Sequence, residues 1–296
     1  MEAKNSIDFL IIGAQKAGTT SLFKYLTIHP EIFMPAGKEI NFFSDNAKFI
    51  RGINWYLSEH FAYRERSKIK GEASPDYMKY DYVAMRIHSL FPRIKLIAIL
   101  RNPIMRTYSH YRMSVARKIE TRSFSICIKE LINKEKIADY KENIEREFIR
   151  LSEYGRILSI YLKFFPQESF KIMFSEKLRE DPVNSMKSVY EFLGVSNDII
   201  SNELFKEHNV GGDKRYRLLE KVLMSEKIRK PLRLVIPSNW RKKIGFWFIT
   251  EFTVKPKNDL GPSSDIRKQL AEYFRRDVAL LENLFGLKVP WEEFIL

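Results

Sequence analysis

Gly13 and Gly18 frame the stretch GAQKAGTTS (13–21), in which a lysine lies between the glycines and three hydroxyl residues follow them. Glycine lets backbone N–H groups approach a ligand closely, hydroxyls add donors, and lysine adds mobile positive charge. Together these suit a phosphate-type anion. The nucleotide-hydrolase loop G-x-x-x-x-G-K-[ST] has the same glycine spacing, with its lysine after the second glycine. Here Lys16 is inside the loop and Thr19 and Thr20 follow Gly18. The glycine spacing alone also fits a purely structural turn between strand and helix. A second cluster, Arg101-Asn102-Pro103, follows the apolar run IKLIAIL (94–100). A magnesium-dependent NTPase needs an aspartate at the end of such a strand. An arginine there repels magnesium and attracts a further phosphate, so the two clusters together point to a ligand held by cations and backbone amides without a metal.

These residues need elements to carry them. Residues 8–12 form a short apolar run that stops at Gly13, as a buried strand does. Leu22, Phe23, Tyr25 and Leu26 then recur at helical spacing until His29-Pro30, with Thr19 or Thr20 as the N-cap. KEINFFS (38–44) reads as a loop or turn, and INWYLSEHF (53–61) as an amphipathic helix. KIKGEASPDY (68–77) suggests a short strand through Glu72 broken by Pro75. IKLIAIL is the clearest buried strand and runs into a helix reaching about Arg117. FKIMF (170–174) is another strand, and Asp181-Pro182 opens a helix that ends at Gly194. Alternating strands and helices predict parallel βαβ units with right-handed crossovers. Residues 120–167 read as mainly helical. A basic stretch spans 214–243, and SDIRKQLAEYFRRDVALLENLFG (264–286) reads as a long helix. The expectation is one α/β domain over residues 1–296 with helical additions in its middle and C-terminal regions.

The 296 residues, 45% apolar and 14% aromatic, suffice for a sizeable core and exclude a disordered or disulfide-built chain. The single cysteine, Cys127, cannot form an internal disulfide, and no Cys/His cluster has zinc spacing. MEAKNSIDFLII lacks a signal-peptide pattern, and neither IKLIAIL nor IGFWFIT approaches the length of a membrane span, so a soluble cytoplasmic protein is expected. The formal charge of +14 favours an anionic partner but also fits a generally basic surface.

The clusters together resemble the 3′-phosphoadenosine-5′-phosphosulfate (PAPS)-dependent sulfotransferases, in particular the branch of heparan sulfate and carbohydrate sulfotransferases. GAQKAGTTSL (13–22) is similar to that family's 5′-phosphosulfate loop, and LRNPIMRTYSHY (100–111) to its 3′-phosphate motif. KEINFFS with GINWYLSEHF (52–61) is similar to the stretch that bears the branch's general base. GEASPDY (71–77) resembles a substrate-side segment, and FLGV (192–195) and YFRRDVALLENLFG (273–286) also match. The resemblance implies a P-loop-NTPase-like three-layer α/β fold with a central parallel sheet flanked by helices. It implies PAPS as cofactor, adenosine 3′,5′-bisphosphate as product, and sulfuryl transfer to a hydroxyl of a glycan or other alcohol.

Carried over by position, Lys16 contacts the 5′-phosphate and the bridging oxygen of the departing group, with Ala17, Gly18, Thr19, Thr20 and Ser21 completing the cradle. Arg101 and Ser109 hold the 3′-phosphate, and Glu39 takes the acceptor's proton. EHNVGGDKRYR (207–217) loosely matches the C-terminal cofactor loop, which nominates Gly211, Gly212, Lys214 and Arg215. The heparan-type relatives often carry a lysine immediately after the glutamate at Glu72, where this chain has Ala73, so its acceptor side differs from theirs.

Several neighbouring residues have a functional and a structural reading. Lys38 is a second cation on the sulfate side or a solvated charge. Glu72 is a second acid–base or substrate-binding carboxylate or half of a structural ion pair, and Asp76 and Tyr77 line the acceptor cleft or close a turn. His110 is a substrate-side group or a packed core histidine. Trp55, Phe42 and Phe43 read as core, and WRKKIGFWFITEF (240–252) as buried aromatics or a lipid-facing segment. Two rival functions remain open on the sequence: a P-loop kinase or NTPase, and a non-catalytic polyanion binder. No helix-turn-helix, RNP-like or zinc-finger signature supports nucleic-acid binding.

Overall fold

Alternate residues of the strands point to opposite faces of one sheet, and both faces are covered. In the computed structural model, which describes residues 6–62, 69–133, 147–197 and 261–295, five parallel strands are ordered β2-β3-β1-β4-β5. They are β1 (Phe9–Gly13), β2 (Ile32–Phe33), β3 (Ile69–Ala73), β4 (Lys95–Leu100) and β5 (Phe170–Phe174). Leu10, Ile12, Leu96, Ala98 and Leu100 face one core layer, whereas Phe9, Ile11, Ile97 and Ile99 face the other. All nine are fully buried, so β1 and β4 read as continuous apolar runs rather than alternating ones.

The helices that cover these layers follow the chain order. The second layer is closed by α1 (Thr19–Thr27), through Leu22, Tyr25 and Leu26. The first layer is built by α2 (Asn46–Ile50), α3 (Gly52–Phe61), α4 (Tyr82–Leu90), α5 (Pro103–Ala116), α6 (Phe124–Asn133), α7 (Glu147–Arg150) and α8 (Tyr154–Tyr161). Beyond β5, α9 (Ser175–Glu180) and α10 (Pro182–Leu193) return to the second layer through Leu178, Met186, Val189 and Tyr190. A 22-residue helix, α11 (Ser264–Phe285), lays Ile266, Leu270, Phe274, Val278 and Leu281 on the first layer. That spacing is the helical period. Gly155 is where α8 crosses α11: a Cβ there would lie 2.3 Å from the carbonyl oxygen of Asp277.

The predicted elements around the two clusters are present within a residue or two. The expected N-cap is not: Gly18, at φ 102°, occupies the N-cap of α1, and no side chain caps that helix. The left-handed turn that brings the loop into the helix needs glycine at this point, which displaces Thr19 and Thr20 into the first helical turn. The two-residue edge strand β2 and helix α4 carry no clear signal in the sequence. Within residues 120–167, the described parts are helical at α6, α7 and α8. The basic stretch 214–243, the segment 240–252 and Gly211, Gly212, Lys214 and Arg215 lie outside the described residues. Among the described residues, no helix is long and apolar enough to cross a membrane.

Candidate active site

All the strands are parallel, so their C-terminal ends open on one edge of the sheet. The connection after β1 runs to the β2 side of the sheet and that after β4 to the β5 side, which makes the β1–β4 crevice a topological switch point. The two sequence clusters meet there. The loop after β1 is tied down by Ala14 N–H to Ile99 O at 2.7 Å and Ala17 N–H to Ala14 O at 3.1 Å. A Cβ on Gly13 would lie 2.3 Å from the Met78 sulfur, so any other residue would have to displace the Met78 side chain from the 3₁₀ turn at Pro75–Lys79. Lys16 is left-handed at φ 71°. With no side-chain cap and no acidic residue in its first turn, α1 offers its first N–H groups and positive dipole end to an anion. Ala17 and Thr19 are buried, Thr20 is half-buried, and Gly18 and Ser21 are exposed.

Arg101 leaves the end of β4 and donates from Nη1 to the Lys16 carbonyl at 3.3 Å. The bond locks the two clusters together. Its own carbonyl accepts the Tyr154 hydroxyl at 2.9 Å. Asn102 caps α5, its Oδ1 receiving Ile104 N–H at 3.0 Å and Met105 N–H at 3.2 Å. Asn102 N–H donates to Glu176 Oε1 at 3.0 Å and its amide to Glu293 Oε2 at 2.8 Å. Trp291 Nε1 donates to Glu176 Oε2 at 3.3 Å, so the segment around residues 291–293 buttresses the arm that bears Arg101. Ser109 is half-buried two turns further along α5.

Positive charge is concentrated around Lys16. Burial, followed by Arg117, Arg101, Arg106 and Lys38, pulls its ammonium down to about 8. Burial likewise lowers the Arg101 guanidinium. Crowding of like charges at partly desolvated positions is unfavourable by itself and is relieved by an anion. Arg106 and Arg117 were not among the residues singled out from the sequence. Helical spacing puts positions 106, 110 and 117 on one side of α5 and its C-cap, but only the fold shows that this side runs past Lys16.

Lys38 bridges the loop to the neighbouring turn. Its ammonium donates to Thr19 Oγ1 at 3.1 Å and to Thr20 Oγ1 at 2.7 Å, and lies 3.5 Å from Glu39 Oε1. It is therefore an internal contact rather than a solvated charge. Glu39 and Asn41 are both left-handed, at φ 64° and 58°. Glu39 N–H donates to Ala73 O at 2.9 Å, which hangs the turn on the end of β3. The Glu39 side chain is one-third exposed, so its carboxylate is open to an incoming molecule.

The other nominated residues lie deeper. Glu72 is 1% exposed and is held by hydroxyl donors, Ser74 Oγ at 3.0 Å and the Tyr77 hydroxyl. Among the described residues no cation forms an ion pair with it. Tyr77 is fully buried with its hydroxyl on Glu72, while Asp76 beside it is half-buried. His110 is 4% exposed, packs on the Phe148 ring, and has its Nδ1 3.5 Å from Arg106 Nη1. Burial, then Arg106, Lys16, Lys79 and Arg117, pushes its pKa down to about 2. It is neutral in any ordinary buffer. Phe42 and Phe43 are buried core; Trp55 is half-buried beneath the Arg51 guanidinium, 3.8 Å from the ring centre. Gly212, Lys214 and Arg215 lie outside the described residues.

The arrangement thus joins an anion cradle, a second cationic arm and a partly exposed carboxylate within one crevice. Chemically it can hold a multiply charged phosphate ester, stabilise charge on an oxygen beside Lys16, and take a proton at Glu39. Comparisons with known proteins bear on the family and the fold. The family model of the sulfotransferase domain matches residues 6–253. Heparan sulfate glucosamine 3-O-sulfotransferase 5 of Mus musculus is 30% identical over 197 residues, which cover 66% of this chain and 56% of that protein. The chain spans about half the length of the curated relatives it matches. A sulfotransferase from Alicyclobacillus acidocaldarius aligns with a TM-score of 0.66 at 24% identity, over 96% of this chain and 97% of that one. Mouse sulfotransferase SULT7A1 complexed with PAP gives 0.51 at 11% identity, over 95% and 89% of the two chains. The two structural likenesses are likenesses of fold.

Proposed function

We propose, since the chain belongs to the sulfotransferase domain family, that this crevice transfers a sulfuryl group from PAPS to a carbohydrate hydroxyl. One observation carries the reading: Lys16 and Lys38 stand at an uncapped helix N-terminus with Arg101 bonded to the Lys16 carbonyl, and Glu39 is joined to the same loop through Lys38. When bound, PAPS supplies a sulfuryl group carried on a 5′-phosphate leaving group. The first-turn amides of α1, the hydroxyls of Thr19, Thr20 and Ser21, and Lys16 Nζ hold the 5′ side. Arg101 after β4, with Ser109 on α5, holds the 3′-phosphate. Lys16 places positive charge where negative charge gathers as the bond to the leaving oxygen lengthens. Glu39 orients the acceptor hydroxyl and receives its proton, a contribution of about 10²–10⁴-fold in such sites. Lys38 spans the carboxylate and the loop hydroxyls, and so keeps base and cradle in fixed relation.

The carbohydrate acceptor rests on the similarity to a heparan sulfate glucosamine 3-O-sulfotransferase and on the net charge of +14. The test is incubation with sulfur-labelled PAPS and a panel of glycan and small alcohol acceptors, with Lys16→Ala and Glu39→Ala alongside. Labelled product that depends on both residues is expected. Undiminished transfer by both variants would refute the assignments. Thermal stabilisation by adenosine 3′,5′-bisphosphate in EDTA checks the cofactor separately, and magnesium-dependent ATP binding in its place would favour a kinase.

A further inference from the structure

Glu72 is a buried carboxyl group that the reaction just described does not use, and it lies at the end of the strand from which the Glu39 turn hangs. Its oxygens face three donors. Ser74 Oγ gives Oε2 a hydrogen bond of 3.0 Å and the Tyr77 hydroxyl bonds Oε1. The Tyr56 hydroxyl faces the same carboxylate without completing a well-shaped bond. A hydroxyl has one proton, so Ser74, having committed it to Glu72, turns its lone pairs elsewhere. They receive Asn41 N–H at 2.9 Å. Ser74 N–H is itself fixed to Ile11 O at 3.1 Å. The turn bearing Glu39 is therefore held on both sides of that residue, by Ala73 O before it and by Ser74 Oγ after it. Lys48 Nζ adds a bond to Ile40 O between them. Such support is what two non-glycine residues at positive φ require.

We infer that Glu72 is a positioning residue for Glu39: through Ser74 and the Asn41 amide it fixes the turn that presents the Glu39 carboxylate to the acceptor. The inference rests on the sulfotransferase reading of the site. The ionised form fits all three donors. A protonated Glu72 has an O–H of its own to place among hydroxyls that already donate, and the Ser74–Asn41 link loses its fixed direction. Burial raises Glu72 to about 7 against the pull of Tyr77, Ser74, Tyr56 and Lys48. Support for the Glu39 turn accordingly grows as pH rises through about 7 and is lost as pH falls through it.

The test compares wild type with Glu72→Gln, Ser74→Ala and Ser74→Thr, using labelled PAPS and any acceptor found active. Glu72→Gln and Ser74→Ala are expected to lose roughly tenfold in kcat, the order of one charge-assisted hydrogen bond, with KM for PAPS and nucleotide-induced thermal shift unchanged. Ser74→Thr, which keeps the hydroxyl, restores kcat. Wild-type kcat falls through an acid limb near pH 7, and that limb is absent from Glu72→Gln. Wild-type activity with an unaltered limb and full kcat in Glu72→Gln overturns the inference while leaving the sulfotransferase reading intact. Equal loss in kcat and nucleotide binding also overturns it, because the role is then general packing. If Glu72→Gln does not fold, the Ser74→Ala and Ser74→Thr pair decides: equal kcat in the two refutes the link. A wild type without transferase activity fails the reading, a different outcome from any of these.

Discussion

Nucleotide binding to this site should take up a proton, and Lys16 is the group that receives it. In the free protein, burial and the cations Arg117, Arg101, Arg106 and Lys38 hold Lys16 at about 8. A bound 5′-phosphate reverses the sign of the local field and returns the ammonium toward its ordinary range, near 10.5. The folded free state is then half deprotonated at pH 8, and the complex is protonated throughout. Linkage gives an uptake of about 0.1 proton at pH 7, about 0.5 at pH 8 and about 0.9 at pH 9. The apparent Kd for adenosine 3′,5′-bisphosphate rises roughly tenfold from pH 7 to pH 9, or about 1.4 kcal/mol. The ligand's phosphates, with second ionisations near pH ~6, do not titrate in the upper half of that window. Calorimetry at pH 8.5 in buffers of different ionisation enthalpy reads the uptake directly. Lys16→Arg, whose guanidinium stays charged, should still bind but without uptake and without the slope. An uptake that persists in Lys16→Arg, or none in the wild type, would refute the charge-crowding account of the cradle.

Other outcomes follow from the same geometry. Glu39→Gln should reduce kcat by about 10²–10⁴-fold with little change in nucleotide binding, as measured by initial rates and thermal shift. Gly18→Ala, placing a side chain at φ 102°, should destabilise the fold by about 1–2 kcal/mol in denaturant melts and weaken nucleotide binding. Little change in either would mean that the loop relaxes freely. Asn102→Ala, which removes the α5 cap and the amide link to Glu293 but keeps the backbone N–H bond to Glu176, should cost about 1 kcal/mol or somewhat more. Its KM for PAPS should rise in parallel. Glu293→Ala should raise that KM more mildly, because the cap itself remains.

The fold and the two phosphate-type clusters were legible because their information is local. A buried parallel strand, a glycine-framed loop and an arginine after IKLIAIL are each written in contiguous residues. Glu39 entered only through resemblance, since a carboxylate in a turn has no periodic signature. What the sequence concealed depends on contacts between distant segments. Thr19 and Thr20 have the composition of an N-cap, yet Gly18 takes that place and the hydroxyls bond Lys38 from the next turn. Glu72 could be nominated but not given a role, because its donors converge only after β3, the 3₁₀ turn and the 38–41 turn have packed. Arg106 and Arg117 were readable as a helical stripe only once α5 was known to run past Lys16.

The bond from Asn102 to Glu293 joins residues 191 positions apart, and this gives the site a history as well as a geometry. A chain still being synthesised holds the phosphate loop, β4 and Arg101 long before residue 293 exists. During that interval the arm bearing Arg101 lacks its buttress, and contacts of such sequence separation close late in folding. The Arg101 arm therefore gains this part of its support only after residue 293 has been made, later than the strands and the loop that it serves.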